Sequence, residues 1–392
     1  MVKNIKYLGL TFSQLSKTLG FSCCADELAI AGRHAMFAMR RRAFELGACS
    51  VEQQLLLFDI FVSPVLSYGC EVWGVDLLDR PDCASERVHR WFCRRVQGLP
   101  KQAASAVVLA ELGRQQLRLQ WVRQLVRFWN RLQTSATEPD RVLAWALEDN
   151  LSLMREGLDI ASGSPCWCRR WLSFLQSAPS SSGTFVWLTE LREEAIVERA
   201  SAAFFQQALK PTQPKTAPIP QQQPPLPATQ HDSHSHTQLP PADSSTSSTT
   251  KFAYYLQHVR GDLPLDQIAP HLLQVPDSQH RNSLSRFSTS CHDLRIERER
   301  YLPQAIKAPR HERTCLLCAL PQIEDELHMI FDCPIYDDLR FEFADLFPPQ
   351  LPHSIPCFLS QDQNKVATFI HKCNIIRCQH ACMSLAGSES AL

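Results

Sequence analysis

The chain has 392 residues, 44% of them hydrophobic, with 40 basic and 40 acidic side chains. That length accommodates two or three domains with real cores, and a net charge of zero excludes a basic nucleic-acid coat or an acidic tail over the whole chain. No uninterrupted apolar run reaches about 18 residues, which argues against a transmembrane segment. Residues 1–6 lack a signal-peptide layout, so an intracellular protein, nuclear or cytoplasmic and not secreted, is expected. Sixteen cysteines scattered through such a chain read as buried thiols plus metal ligands rather than a disulfide framework. Twenty-six prolines against thirteen glycines point to a rigid, extended segment.

In chain order, residues 6–12 come first. They are short, aromatic and partly alternating, and read as a strand. A lone strand has no sheet to join, so the expectation is that its partner lies further N-terminal. Residues 50–68 hold a dense apolar helix, 55–62, stopped near Pro64. Leu117, Trp121, Leu125, Phe128 and Leu132 recur at steps of four, four, three and four, which is one face of a helix. Residues 141–151 and 187–209 add two more helical patterns. Residues 211–250 hold Pro, Gln, Ser, Thr and His with almost no aliphatic side chains. Such a stretch cannot bury enough apolar surface to offset its ordering entropy, so a disordered, partly polyproline linker is expected. The fold class predicted is mainly α. A helical region over 1–210 is followed by the linker 211–250, a helical segment 251–311, a small metal knuckle 312–345 and a helical tail 346–392.

Charge is unevenly placed. Between Arg87 and Arg131 there are ten basic residues and one acid, Glu111. Arg87, Arg90, Arg94, Arg95, Arg114, Arg118, Arg123, Arg127 and Arg131 are candidate nucleic-acid contacts, since arginines along one helix face can neutralise phosphates. Trp91, Trp121 and Trp129 are interleaved with them and could stack on bases. The alternative is a solvated face, or pairing with acids such as Glu190, Glu193 and Glu194.

The sharpest chemical signal is Cys315, Cys318, His328 and Cys333, spaced C-x2-C-x9-H-x4-C. The first pair fits a tight knuckle with both sulfurs facing one ion, and the second closes a tetrahedron from a following helical turn. Three thiolates and one imidazole suit a single Zn2+ in a closed, structural site. Glu324, Asp325 and Glu326 are placed to orient the His328 ring. His371, Cys373, Cys378, His380 and Cys382 form a second cluster whose spacing fits no compact knuckle. Most of these are expected to be buried or incidental thiols. His231, His234 and His236 are solvated linker residues in this reading, and the Cys166-Trp167-Cys168 run is too tight for a tetrahedral pair.

Several blocks, in order, resemble non-LTR (LINE-type) retrotransposon reverse transcriptases. Lys6-Tyr7-Leu8-Gly9-Leu10 is similar to the segment just after that family's catalytic palm. Phe58-Asp59, Pro64-Val65-Leu66-Ser67-Tyr68-Gly69, Glu71 and Trp73-Gly74 resemble the signature that follows, and Glu111-Leu112-Gly113-Arg114 with Arg127-Phe128-Trp129 the next block. Arg286-Phe287, His292, Leu294, Ile296-Glu297-Arg298 and Arg300-Tyr301 look like the stretch before the family's C-terminal knuckle. Cys315, Cys318, Glu324-Asp325-Glu326, His328, Cys333-Pro334, Tyr336 and Arg340 look like the knuckle itself. The resemblance implies a thumb-like helical region and a zinc-knuckle tail downstream of a missing palm, gripping RNA and DNA, with Arg298 and Arg300 as further contacts.

The departures imply no catalysis. The family's Mg2+-binding Phe/Tyr-x-Asp-Asp turn is absent, because Tyr336-Asp337-Asp338 is out of register, and no endonuclease motif is found. Ser288-Thr289-Ser290 lacks the arginine of the family's Arg-Thr-Ser, and Glu299 stands where glycine is usual. The expected function is therefore a non-catalytic RNA- or DNA-binding fragment. The alternative is a protein-interaction scaffold whose Pro-rich linker, around 218–227, recruits SH3- or WW-type partners. A thiol-nucleophile enzyme ranks last, since no Cys/His pair has a recognisable context.

Overall fold

The computed structural model describes residues 4–15, 18–20, 23–136, 141–161, 166–177, 191–210, 250–303, 305–318 and 320–389 (for 4, 13–15, 18–20 and 381–389, the backbone alone). Residues 211–249 of the expected linker, its three histidines, residues 187–190 of the predicted 187–209 helix and Cys382's side chain lie outside them. The protein is mainly α, as its periodicity predicts. No single helix among the described residues is long and apolar enough to cross a membrane.

The N-terminal strand needs correcting. Residues 6–12 are not one strand with a missing partner. The chain reverses at Leu8-Gly9, where both φ angles are positive, 48° and 81°. This two-residue turn matches the right-handed twist of a hairpin. It joins β1 (Asn4–Tyr7) to β2 (Leu10–Leu15), and β3 (Thr18–Gly20) completes an antiparallel meander. Tyr68 Oη donates to the Leu8 carbonyl at 2.9 Å and holds the turn against the helices.

Helix α1 (Cys24–Glu45) buries Leu28, Met36 and Met39 on one stripe. It crosses the next elements closely at Gly32, where a Cβ would fall 2.3 Å from a Leu66 methyl. Helix α2 (Val51–Phe61) begins at a capping box, in which Ser50 accepts from the Gln53 amide and Gln53 accepts from Ser50 N. Pro64 then opens a separate one-turn helix, Ser63–Leu66, where its missing N–H costs nothing. Helices α3 (Ala84–Val96) and α4 (Ser105–Glu111) lead into α5 (Leu117–Ser135). The predicted stripe of α5 forms the centre of the first core: Leu117, Trp121, Leu125 and Leu132 are buried and Phe128 packs partly buried against them, with Trp129 fully buried beside the stripe. Trp121 meets Trp73 edge-on at 4.9 Å and donates Nε1 to Ser67 Oγ. Helices α6 (Val142–Glu156), α7 (Trp167–Ser177) and α8 (Glu193–Leu209) close this region, and Trp171 extends the core.

After the linker, Thr250 caps a short helix, Lys251–Tyr255, that packs on α4 and α8. Phe252 lies edge-on to Phe205 at 5.5 Å. Ile268 bridges to Leu112, and Gly113 lets the Asp266 carbonyl approach where a Cβ would sit at 2.6 Å. Ala269 and Leu272 thus belong to the first core, while Val275 begins the second. The second core lies between α9 (Ser278–Ser288), α10 (Gln363–Glu389) and a run of one-turn helices, and holds Phe287, Ile330, Phe358, Phe369 and Ile370.

A candidate metal centre at the C-terminal core

The bridge Thr314↔Ile323, with Cys315 N donating to the Gln322 carbonyl at 2.9 Å, ties off a hairpin whose tip is the Cys315-Leu316-Leu317-Cys318 knuckle. Leu317 N points back at Cys315 Sγ from 3.4 Å, the usual way a knuckle steadies a thiolate. Residues His328–Asp332 form a wide turn, closed by Cys333 N donating to the His328 carbonyl at 2.8 Å, five residues back. That extra residue in the turn sets His328 and Cys333 on the same side.

The four ligand atoms come together. The Sγ atoms of Cys315, Cys318 and Cys333 and a His328 ring nitrogen all lie within 4.8 Å of one another, a cluster that could hold one metal ion. Cys315 and Cys333 are 4.0 Å apart, and Cys318 is 3.4 Å from His328 Nε2. The ring's tautomer follows from its other nitrogen. Gln322 Oε1 can only accept, so at 2.7 Å it fixes the proton on Nδ1 and leaves Nε2 as a lone pair facing the sulfurs. The hydrogen bond between Cys315 and Cys333 draws the first thiol below its ordinary value and pushes the second above it.

The acids preceding His328 do other work than expected. Asp325 Oδ1 accepts from the His328 backbone N at 3.1 Å and starts its turn. Glu324 is buried, pairs with both Arg377 guanidinium nitrogens, and accepts from Arg295 N at 2.9 Å. Glu326 meets His292 at 2.9 Å. Gln322, not an acid, orients the His328 ring. Gln322, Arg295 and Arg377 carried no sequence signal, because each reaches the centre through tertiary pairing.

Among the described residues the second cluster does not converge. Cys373 is fully buried in the core, Cys378 is exposed, and His371 instead faces His280 with ring centroids 4.6 Å apart. Burial pushes the thiols of Cys70, Cys168 and Cys373 up, the opposite of an activated nucleophile.

The candidate arginines fall into two groups. Arg118 is fully buried: it donates to the Leu78 carbonyl, lies near Glu86, and stands 4.3 Å over the Phe204 ring. It is not on the surface that the charge pattern predicted. Arg114 forks onto Asp59 and Arg127 onto Glu193 at 2.8 and 2.9 Å, while Arg90 makes a single contact with Asp82 and Arg300 a single contact with Glu297 at 3.0 Å. Arg94 donates to the Ala103 carbonyl and Ser105, and Arg87 to the Asp82 carbonyl. Arg131 lies over Phe128, and Arg123 adds its charge near Glu193. Arg95 and Arg298 are exposed. Trp121 and Trp129 are core residues, which leaves Trp91 alone of the three tryptophans partly exposed.

A second buried constellation was not read from the sequence. Tyr255 Oη donates to Glu111 at 2.6 Å and accepts from Arg260 at 3.0 Å, while His271 lies 3.5 Å from Glu111 and 3.0 Å from Ser285 Oγ. Burial pushes the Glu111 carboxyl up to about 7 and the His271 imidazole down to about 3, so both favour their neutral forms. No family model, curated protein or solved structure matches the chain, and its functional reading stands on these residues and their geometry.

Proposed function

We propose that the chain is a non-catalytic nucleic-acid-binding protein of the LINE-type reverse-transcriptase kind, folded at its C-terminal region around one structural zinc ion. The observation that carries this is the convergence of Cys315, Cys318, His328 and Cys333. A tetrahedral zinc with bonds of about 2.3 Å to sulfur holds two sulfurs about 3.8 Å apart. Cys315 and Cys333 stand at 4.0 Å, close to that spacing before any ion draws them in. Bound there, the ion would crosslink the 314–323 hairpin to the His328–Asp332 turn. Four protein ligands leave no open position for a substrate, hence the structural role.

The nucleic-acid half rests on charge. Arg33, Arg40, Arg41 and Arg95, which have no ion pair among the described residues, gather on α1 and α3, whereas Arg90, Arg114 and Arg127 are ion-paired. The absence of catalysis rests on the acids: Asp337 and Asp338 open the Asp337–Glu342 helix, where Asp337 pairs with Arg340. Two measurements test the proposal. Elemental analysis of the purified chain should find one zinc per molecule, removed by chelator. Binding of an RNA oligonucleotide should weaken steeply as salt rises. Absence of zinc overturns the first half, and absence of salt-dependent binding overturns the second.

A further inference from the structure

Several arginines of this chain answer a carboxylate, among them Arg90, Arg114, Arg118 and Arg127. A group gathered on α1 and α3 does not. Helix α1 carries no acid between Leu28 and Phe44, and the only acid of α3, Glu86, is buried on its other face. Along the outer side of α1 run Arg33, Phe37, Arg40, Arg41 and Phe44; beside them α3 presents Trp91 and Arg95. Phe37 meets Trp91 edge-on with centroids 5.4 Å apart, and the Arg40 guanidinium stands 5.8 Å from the Trp91 ring centre. Phe37, Trp91 and Phe44 are 48%, 41% and 79% exposed, so the rings are open to a partner. Arg33, Arg40, Arg41 and Arg95 have no ion pair among the described residues. Burial and the charge of neighbouring Arg95 both press the Arg40 guanidinium below its ordinary value, as two cations side by side without a carboxylate must.

An arginine pair held together without an acid favours an anion between its members, and flat exposed rings beside it favour a planar group. Acidic peptides supply the charge but no planar partner, and a duplex keeps its base faces stacked inside. A single strand supplies both in register: phosphates for the arginines and unstacked bases for the rings. From Arg33 to Phe44 the helix runs about 16 Å, enough for a few nucleotides. We infer that the α1–α3 face, centred on Trp91, Phe37, Arg40 and Arg95, is a binding platform for single-stranded RNA or DNA. The inference rests on the nucleic-acid reading above and moves its centre away from α5, where Arg118 is buried and Arg127 is paired with Glu193.

The test uses the full chain with labelled oligouridylate, the same strand in a duplex, polyglutamate and anionic phosphatidylserine vesicles. Trp91→Ala should weaken oligouridylate binding by about 10-fold, and Trp91→Phe, which keeps a ring, should restore most of it. Arg40→Ala with Arg95→Ala should flatten the log–log salt dependence by about 1.4, two phosphate contacts on a single strand. Lys365→Ala, which removes a paired surface cation elsewhere, should change neither. Unfolding by circular dichroism should match wild type in each variant, and Trp91→Phe serves as the readout if Trp91→Ala does not fold. Wild-type binding of oligouridylate that these substitutions leave unchanged overturns the platform while the nucleic-acid reading survives. Preference for the duplex, for polyglutamate or for vesicles also overturns the platform. A wild-type chain that binds no nucleic acid at all overturns that reading and the platform with it.

Discussion

The regions before and after the linker solve the same problem differently. Before it, long helices such as α1 and α5 bury Trp73, Trp121, Trp129 and Trp171 completely, and large rings packed on one another supply the cohesion. After it, apart from α9, α10 and the helical run 251–260, the described helices are about one turn each, such as Arg295–Arg298, Asp337–Glu342 and Ile355–Leu359. Short turns cannot propagate their own hydrogen bonding. They are tied instead by pairs such as Arg377–Glu324 and Arg313 to the Ile296 carbonyl, and by the Cys/His cluster. The difference teaches that chain length within an element decides whether apolar area suffices or a crosslink is needed.

The sharpest way to break this contrast is Cys333→Ser. Losing one ligand of the proposed zinc should abolish metal uptake and with it stabilisation of about 10 kcal/mol or more, the scale of small zinc modules. Hydrogen exchange should accelerate throughout 313–340 and leave the α5 amides protected; equal loss in both regions would show that they share one crosslink. The next largest effect is Trp121→Ala. Emptying that core position should cost about 3–5 kcal/mol in denaturant unfolding of the first region, with zinc content unchanged.

A smaller effect lies at the seam, where Glu111 meets Tyr255 and His271. A carboxyl whose folded value is raised adds stability that is fully present below its unfolded value, about 4.5, and lost as pH rises through about 7. His271, lowered in the fold to about 3, works in the opposite sense: its contribution is present above about 6.5 and lost on acidification. Between pH 4.5 and 6.5 the two slopes oppose each other. Glu111→Gln removes one of them. The stability of wild type relative to this variant should therefore grow as pH falls from about 7 to about 4.5, by roughly 1.4 kcal/mol per pH unit, and level off below. A difference independent of pH would mean that Glu111 is ionised inside the fold.

What could be read from the residues was what is local. The four-four-three-four spacing gave α5 its buried face, Pro64 marked the end of α2, and the CxxC pair with His328 and Cys333 converges as its spacing predicts. What escaped is set by partners far along the chain. Arg114 finds Asp59 across 55 positions, a pairing no local pattern announces, whereas Arg127 meets Glu193, one of the acids the alternative reading named. The hairpin at Leu8-Gly9 escaped because leucine rarely takes a positive φ; the Tyr68 hydroxyl, far along the chain, bonds its carbonyl there. Gln322 escaped because a backbone bridge, not a motif, sets it beside His328.

One contact has a practical consequence. Phe205 and Phe252 touch on either side of the Pro/Gln/Ser-rich stretch, so its two ends are anchored at one spot. Chain paid out between two fixed posts is cheap to lengthen: each doubling costs only about 0.6 kcal/mol of closure entropy. That stretch is therefore the natural place to splice in a reporter domain, or to sever the polypeptide and recover the halves as a mated pair.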